Sequence, residues 1–86
     1  VSGYRLLVDW EVIEKVNRLP IARRRAIKDV FVRIGKFPDR LSDYMEPNER
    51  GIALSVHLSH GFAIKYWTDF ADRHVKILDI ASADQS

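Results

Sequence analysis

The sequence predicts an α+β protein in which two N-terminal helices pack on one face of a small, mainly antiparallel, four-stranded sheet, in the order β-α-α-β-β-β. Three observations predict it. Residues 62–67 and 75–80 are apolar runs rich in β-branched and aromatic side chains, and the polar link 68–74 between them reads as a solvated hairpin turn. Residues 52–59 alternate apolar and small or polar types, the period of a strand buried on one side. Residues 10–36 instead repeat apolar groups at spacings of three and four, the period of a helix.

In chain order, residues 4–8 fit a first strand, with Asp9 ending it and capping the helix after it. Val12, Ile13, Val16 and Leu19 then fall on one helical face, and Pro20 closes that helix and opens the next, where its missing N–H has no partner to lose. Ile27, Val30, Phe31 and Ile34 repeat as i, i+3, i+4 and i+7, while Arg25, Lys28 and Asp29 take the wet side. Gly35 supplies a stop, with Pro38 beyond it. Residues 37–51 carry Pro38, Pro47, Asn48 and Gly51 and no sustained period, which predicts the longest irregular connection and the most mobile segment.

Ile52, Leu54, Val56 and Leu58 are expected to face the helices, as are Phe62, Ile64 and Tyr66 of the next strand. The other sheet face then presents Ser55, His57, Lys65 and Trp67. The last strand has two phasings, because Val75 and Ile77 fall on one side and Leu78 and Ile80 on the other; either His74 and Lys76 or Val75 and Ile77 join the open face. Apolar groups on both sides of that strand imply that something covers the sheet there.

A chain of 86 residues accommodates one domain, spanning 1–86, with nearly all its apolar residues in one core. At 47% hydrophobic residues it is too apolar for disorder. Cysteine is absent, so disulfides and thiolate metal sites are excluded and a reducing, cytoplasmic location is the simpler expectation. No leader pattern and no run of about 18 apolar residues supports secretion or membrane spanning. His57, His60 and His74 lack a helical i, i+4 pairing, and Gly3, Gly35, Gly51 and Gly61 are scattered singly, so neither a metal site nor a nucleotide phosphate loop is expected. No cofactor is called for.

The net charge of +2 is unevenly placed. Residues 20–36 hold Arg23, Arg24, Arg25, Lys28, Arg33 and Lys36 against Asp29 alone. Arg23, Arg24, Arg25 and Lys28 are candidate phosphate contacts. The alternative is a solvated face, since Arg25, Asp29 and Arg33 also make an i, i+4 ladder. On the expected open face, His57 is the candidate proton-transfer group, because imidazole titrates near neutrality, with Lys65 and Lys76 as the nearest cations. Trp67 can stack on an RNA base or anchor a protein partner.

A first strand ending in Asp9, two helices with the Arg23-Arg24-Arg25 run early in the second, Pro38 after it, and Gly61-Phe62-Ala63-Ile64-Lys65-Tyr66 leading into Val75-Lys76-Ile77-Leu78 resemble the RelE/ParE superfamily of bacterial toxin–antitoxin toxins. The resemblance covers nearly the whole chain and implies a toxin that inhibits translation by ribosome-dependent mRNA cleavage, with an antitoxin, the ribosome and mRNA as partners. The ParE branch implies DNA gyrase poisoning instead, and a third possibility is a degenerate toxin that only binds. Two positions depart from the ribonuclease branch: its third-strand arginine corresponds to Ala63, and its basic and aromatic C-terminal groups are missing from residues 80–86.

Overall fold

The computed structural model describes residues 3–83. Its elements are β1 (Arg5–Val8), α1 (Trp10–Asn17), α2 (Ile21–Lys36), α3 (Pro38–Leu41), β2 (Tyr44–Pro47), β3 (Ala53–Ser59), β4 (Phe62–Asp69) and β5 (His74–Ser82). The strands form a single sheet in the order β1-β5-β4-β3-β2. Only β1 runs parallel to its neighbour, β5; the other pairs are antiparallel.

The α+β class stands, but the sheet has five strands, not four. The extra strand and the short α3 both fall in the stretch read as irregular. β2 has only four residues and ends in Pro47 at the sheet edge, where a missing N–H costs no ladder bond, so it carries no periodic signal. The turn after it is built by Asn48, whose Oδ1 accepts the backbone N–H groups of Arg50 (2.8 Å) and Ile52 (2.9 Å), and by Gly51 at φ +81°. α2 also runs past the expected stop: Gly35 lies buried inside it, and its carbonyl accepts the Tyr4 N–H at 2.8 Å, fixing β1 against the helix.

Both long helices lie on one sheet face. Val12 and Val16 of α1 and Ile27, Val30, Phe31 and Ile34 of α2 pack with Ile64 and Tyr66 of β4 and Val75, Ile77 and Ile80 of β5. Each such fully buried aliphatic group contributes roughly 1.5–3 kcal/mol. The phasing of β5 is settled by a bulge: Lys65 is paired with Asp79 but Tyr66 with Ile77, so Leu78 is the extra residue. One added residue shifts the alternation, and Val75, Ile77 and Ile80 all reach the helix side. Lys15 of α1 clasps the bulge through Asp79 Oδ1 at 3.0 Å.

The alternation read in β3 is present, but its sides are reversed. Ser55 stands opposite Tyr66 and His57 opposite Ile64, both helix-facing positions, whereas Val56 stands opposite Lys65. Leu54, Val56 and Leu58 therefore lie on the face without helices. Val56 is 0% and Leu54 8% exposed there, because Tyr44 and Glu46 of β2 flank them on one side and the stems of Lys65 and Trp67 on the other. No helix among the described residues is long and apolar enough to cross a membrane.

Candidate functional site

The face away from the helices gathers side chains from three adjacent strands. Trp67 of β4 stands opposite Lys76 of β5, Asp69 opposite His74, and His74 is paired in turn with Arg5 of β1. Strand alternation thus places Arg5, Lys65, Trp67, His74 and Lys76 on one surface.

The β4–β5 turn arms His74. Asp69 Oδ1 accepts the Asp72 N–H at 3.0 Å, and Arg73 takes the left-handed conformation at φ 52°. This brings Asp72 Oδ2 to 2.9 Å from His74 Nδ1 and 3.7 Å from the Arg5 guanidinium. A carboxylate only accepts, so the bond places a proton on Nδ1 and leaves Nε2 as the basic nitrogen of the neutral ring. The imidazole is held edge-on to Trp67, centroids 5.9 Å apart, with its side chain 16% exposed. Beside it, Trp67, Lys76, Leu78, Leu54, Ile52 and Asn48 line a largely apolar slot of about 280 Å³.

Lys65 lies farther along the same face and is already engaged. Its Nζ is 2.7 Å from Glu46 Oε2, and that hydrogen bond, outweighing partial burial, raises the ammonium above its usual pKa. Lys65 therefore stays charged near neutral pH and cannot serve as a base; it can hold a phosphate only by exchanging with Glu46.

Of the candidates read from sequence, Lys65, Lys76 and Trp67 are brought together and His57 is not. His57 lies on the helix-facing side, its Nδ1 2.7 Å from the Leu41 carbonyl and 3.3 Å from Asp43 Oδ2. It ties α3 and the approach to β2 onto β3, with Asp43 also accepting the Leu58 N–H at 2.7 Å. The imidazole on the open face is His74. Sequence signalled it only as one of two phasings of β5, and its orienting acid, Asp72, read as a solvated turn residue.

The basic run on α2 belongs to another surface. Ile27, Val30, Phe31 and Ile34 point at the sheet, which turns Arg25 away from it on a 3.6-residue period. Arg24 is half-buried and donates to the Leu19 carbonyl at 3.1 Å, with Nε buried and unpartnered, and Arg23 lies over the Phe62 ring at 5.9 Å. Arg25 and Lys28 are exposed. The expected Arg25-Asp29-Arg33 ladder does not form: none of the ion pairs among the described residues involves them.

Ala63, at the position where the resemblance implies an arginine, lies on the open face between Leu58 and Ala81, so no cation stands at that spot. Of the C-terminal stretch, Ile80 to Ala83 bring no basic or aromatic group, and residues 84–86 lie outside the described residues. Ligand atoms of Asp69, Asp72 and His74 approach within 4.8 Å of one another, a spacing a divalent ion could bridge. Asp69 Oδ1, Asp72 Oδ2 and His74 Nδ1 also take part in the turn's own hydrogen bonds.

No family model matches the sequence, and no curated protein is significantly similar to it. Solved structures do match. The chain is similar to one in the archaeal RelE–RelB complex from Pyrococcus horikoshii OT3, with a TM-score of 0.80 and 16% identity, covering 99% of this chain and 100% of that one. It is similar to a chain of the toxin–antitoxin complex RelBE2 from Mycobacterium tuberculosis, with a TM-score of 0.77 and 17% identity over 94% of this chain and 99% of the other. The isolated Escherichia coli RelE toxin gives a TM-score of 0.75 and 15% identity over 98% and 88%. The fold is that of the RelE toxins.

Proposed function

We propose that this chain is the toxin of a toxin–antitoxin pair, held by an antitoxin as the RelE proteins of the matching complexes are held by RelB, and that it inhibits translation by cutting mRNA on the ribosome. The observation that carries the reading is the Asp72–His74 pair on the open face, with Trp67, Lys76 and Arg5 around it. In such a cleavage the 2′-hydroxyl of RNA attacks the adjacent phosphorus and the 5′-oxygen departs, leaving a 2′,3′-cyclic phosphate. His74 Nε2 takes the 2′-hydroxyl proton, Asp72 orients the ring and stabilises the imidazolium, the Lys76 ammonium meets the charge that develops on phosphate, and a solvent water protonates the departing 5′-oxygen. A base next to Trp67 occupies the apolar slot.

The test is to incubate purified protein with ribosomes carrying a defined mRNA and to map RNA ends. Discrete new ends that disappear in His74→Gln are expected; intact mRNA with the wild-type protein refutes cleavage.

One observation favours a second reading. Around Ala63 the open face is uncharged, and Lys65 is neutralised by Glu46, a surface better suited to a protein than to a polyanion. On that reading the chain is a ParE-like gyrase poison or a toxin-like binding module. It then gives gyrase-linked DNA breaks or no growth defect, and His74→Gln changes neither.

A further inference from the structure

A second cavity, of about 390 Å³, opens on the helix-facing side of the sheet beyond α3, lined chiefly by Asp39, Ser42, Met45, Ser55, Tyr66 and Phe70. Ser55 pairs with both Met45 and Tyr66 across the strands, so this cavity and the open face with Lys65 lie on opposite sides.

Its chemistry is that of an acceptor. The Ser55 and Ser42 hydroxyls lie 3.2 Å and 3.5 Å from the Met45 sulfur, Ser42 also meets the Tyr44 carbonyl at 3.4 Å, and both reach the Tyr66 hydroxyl; each serine oxygen still has lone pairs to accept with. The Tyr66 hydroxyl donates to the Pro38 carbonyl at 2.6 Å and is met in turn by the Ser55 and Ser42 hydroxyls, so it closes the floor of the cavity and is not itself a ligand. Among the described residues Asp39 forms no ion pair, and no lysine or arginine lines the cavity. Phe70, 57% exposed, stands at its border. A carboxylate, hydroxyl oxygens, a thioether and an aromatic group around an uncharged void match a flat cation that donates in its plane and stacks on its face.

We propose that this cavity receives a guanidinium group, the side chain of an arginine on a partner protein. Asp39 takes the charge in a forked hydrogen bond, Ser42 and Ser55 accept from the remaining N–H groups, and the arginine stem lies against Met45 and Phe70. An ammonium would satisfy the carboxylate but forfeit the planar match. The site does not depend on the RNA reading: of its lining residues only Trp67 belongs to the His74 face, and the guanidinium contacts use none of that face.

The test is an NMR titration of the full chain with Nα-acetyl-arginine methylamide. Saturable shifts are expected at Asp39, Ser42, Ser55 and Phe70, with affinity falling roughly tenfold in Asp39→Asn and about threefold in Phe70→Leu. The neutral isostere Nα-acetyl-citrulline methylamide is expected not to bind. Equal binding of the citrulline compound, or Asp39→Asn within about twofold of wild type, overturns the assignment. Methylguanidinium binding more tightly than the amino-acid derivative overturns the protein-borne source. Asp39 is exposed, so its variant keeps the fold.

Discussion

His57 and Lys65 stand on adjacent strands and point to opposite faces of the sheet, His57 across from Ile64 and Lys65 across from Val56. The two therefore cannot share a phosphate. His57→Ala removes the contacts to Leu41 and Asp43 and leaves a carbonyl short of a partner, so it is expected to destabilise the fold by about 1–3 kcal/mol. RNA cleavage by the fraction still folded should be unchanged. His74→Gln should do the reverse, with a rate loss of about two to four orders of magnitude and a urea midpoint close to wild type. Denaturation curves and cleavage rates measured on the same preparations separate the two roles; a cleavage defect in folded His57→Ala would return that residue to the site.

Much of this was legible in the sequence. Helix periods, the hairpin and the relative order of the six expected elements carry over, with α3 and β2 added between them, because each expected element is a local pattern repeated over a turn or more. The reversed face of β3 was not, since alternation gives a period without a direction, and two neighbouring strands can bury an apolar row as well as a helix can. The rescue of Ile80 to the helix side depends on one bulge residue, Leu78, which no composition signal marks. His74 was not singled out for a related reason: Asp72 meets its ring only once the turn at Asp69 and Arg73 closes.

Glu46 is expected to restrain the open face. Releasing Lys65 with Glu46→Gln should tighten binding of a short single-stranded RNA, while Lys65→Ala should weaken it or leave it unchanged. If the freed ammonium engages one phosphate, the plot of log affinity against log salt steepens by about 0.7 in Glu46→Gln. Fluorescence anisotropy at several salt concentrations measures this, and the same slope in wild type and variant would exclude Lys65 from phosphate contact. Stability should move little, because a partly exposed pair is worth about 0–1 kcal/mol.

The arginines of α2 should divide by burial. Arg24→Ala loses the bond to Leu19 and the packing of its stem, and is expected to cost about 1–2 kcal/mol. Arg25→Ala with Lys28→Ala should leave stability within about 0.5 kcal/mol, since both are exposed and neither enters an ion pair among the described residues. That double variant should not alter binding of a short RNA confined to the open face, yet it should weaken association with whole ribosomes if α2 meets ribosomal RNA. Sedimentation with ribosomes across a salt series reads this directly; unchanged association and slope would make the stripe a solvated surface.

Alkaline pH should unfold the protein through Tyr66. Burial pushes its hydroxyl up to about 12 from the usual 10, so between those values the unfolded chain has lost the phenolic proton and the folded chain has kept it. The unfolded state then binds fewer protons, and stability falls as pH rises, a loss on the order of 2 kcal/mol that is complete near pH 12. Lys65 acts in the same direction: its raised pKa contributes stability that is present below pH 10.5 and lost as the ammonium deprotonates in the fold. Tyr66→Phe separates the two. It leaves the buried Pro38 carbonyl without its donor, so it should be less stable than wild type at pH 7 by about 1–3 kcal/mol, yet lose less between pH 10 and 12. Urea titrations from pH 8 to 12 give both quantities, and a parallel decline in wild type and variant would show that Tyr66 does not set the alkaline limit.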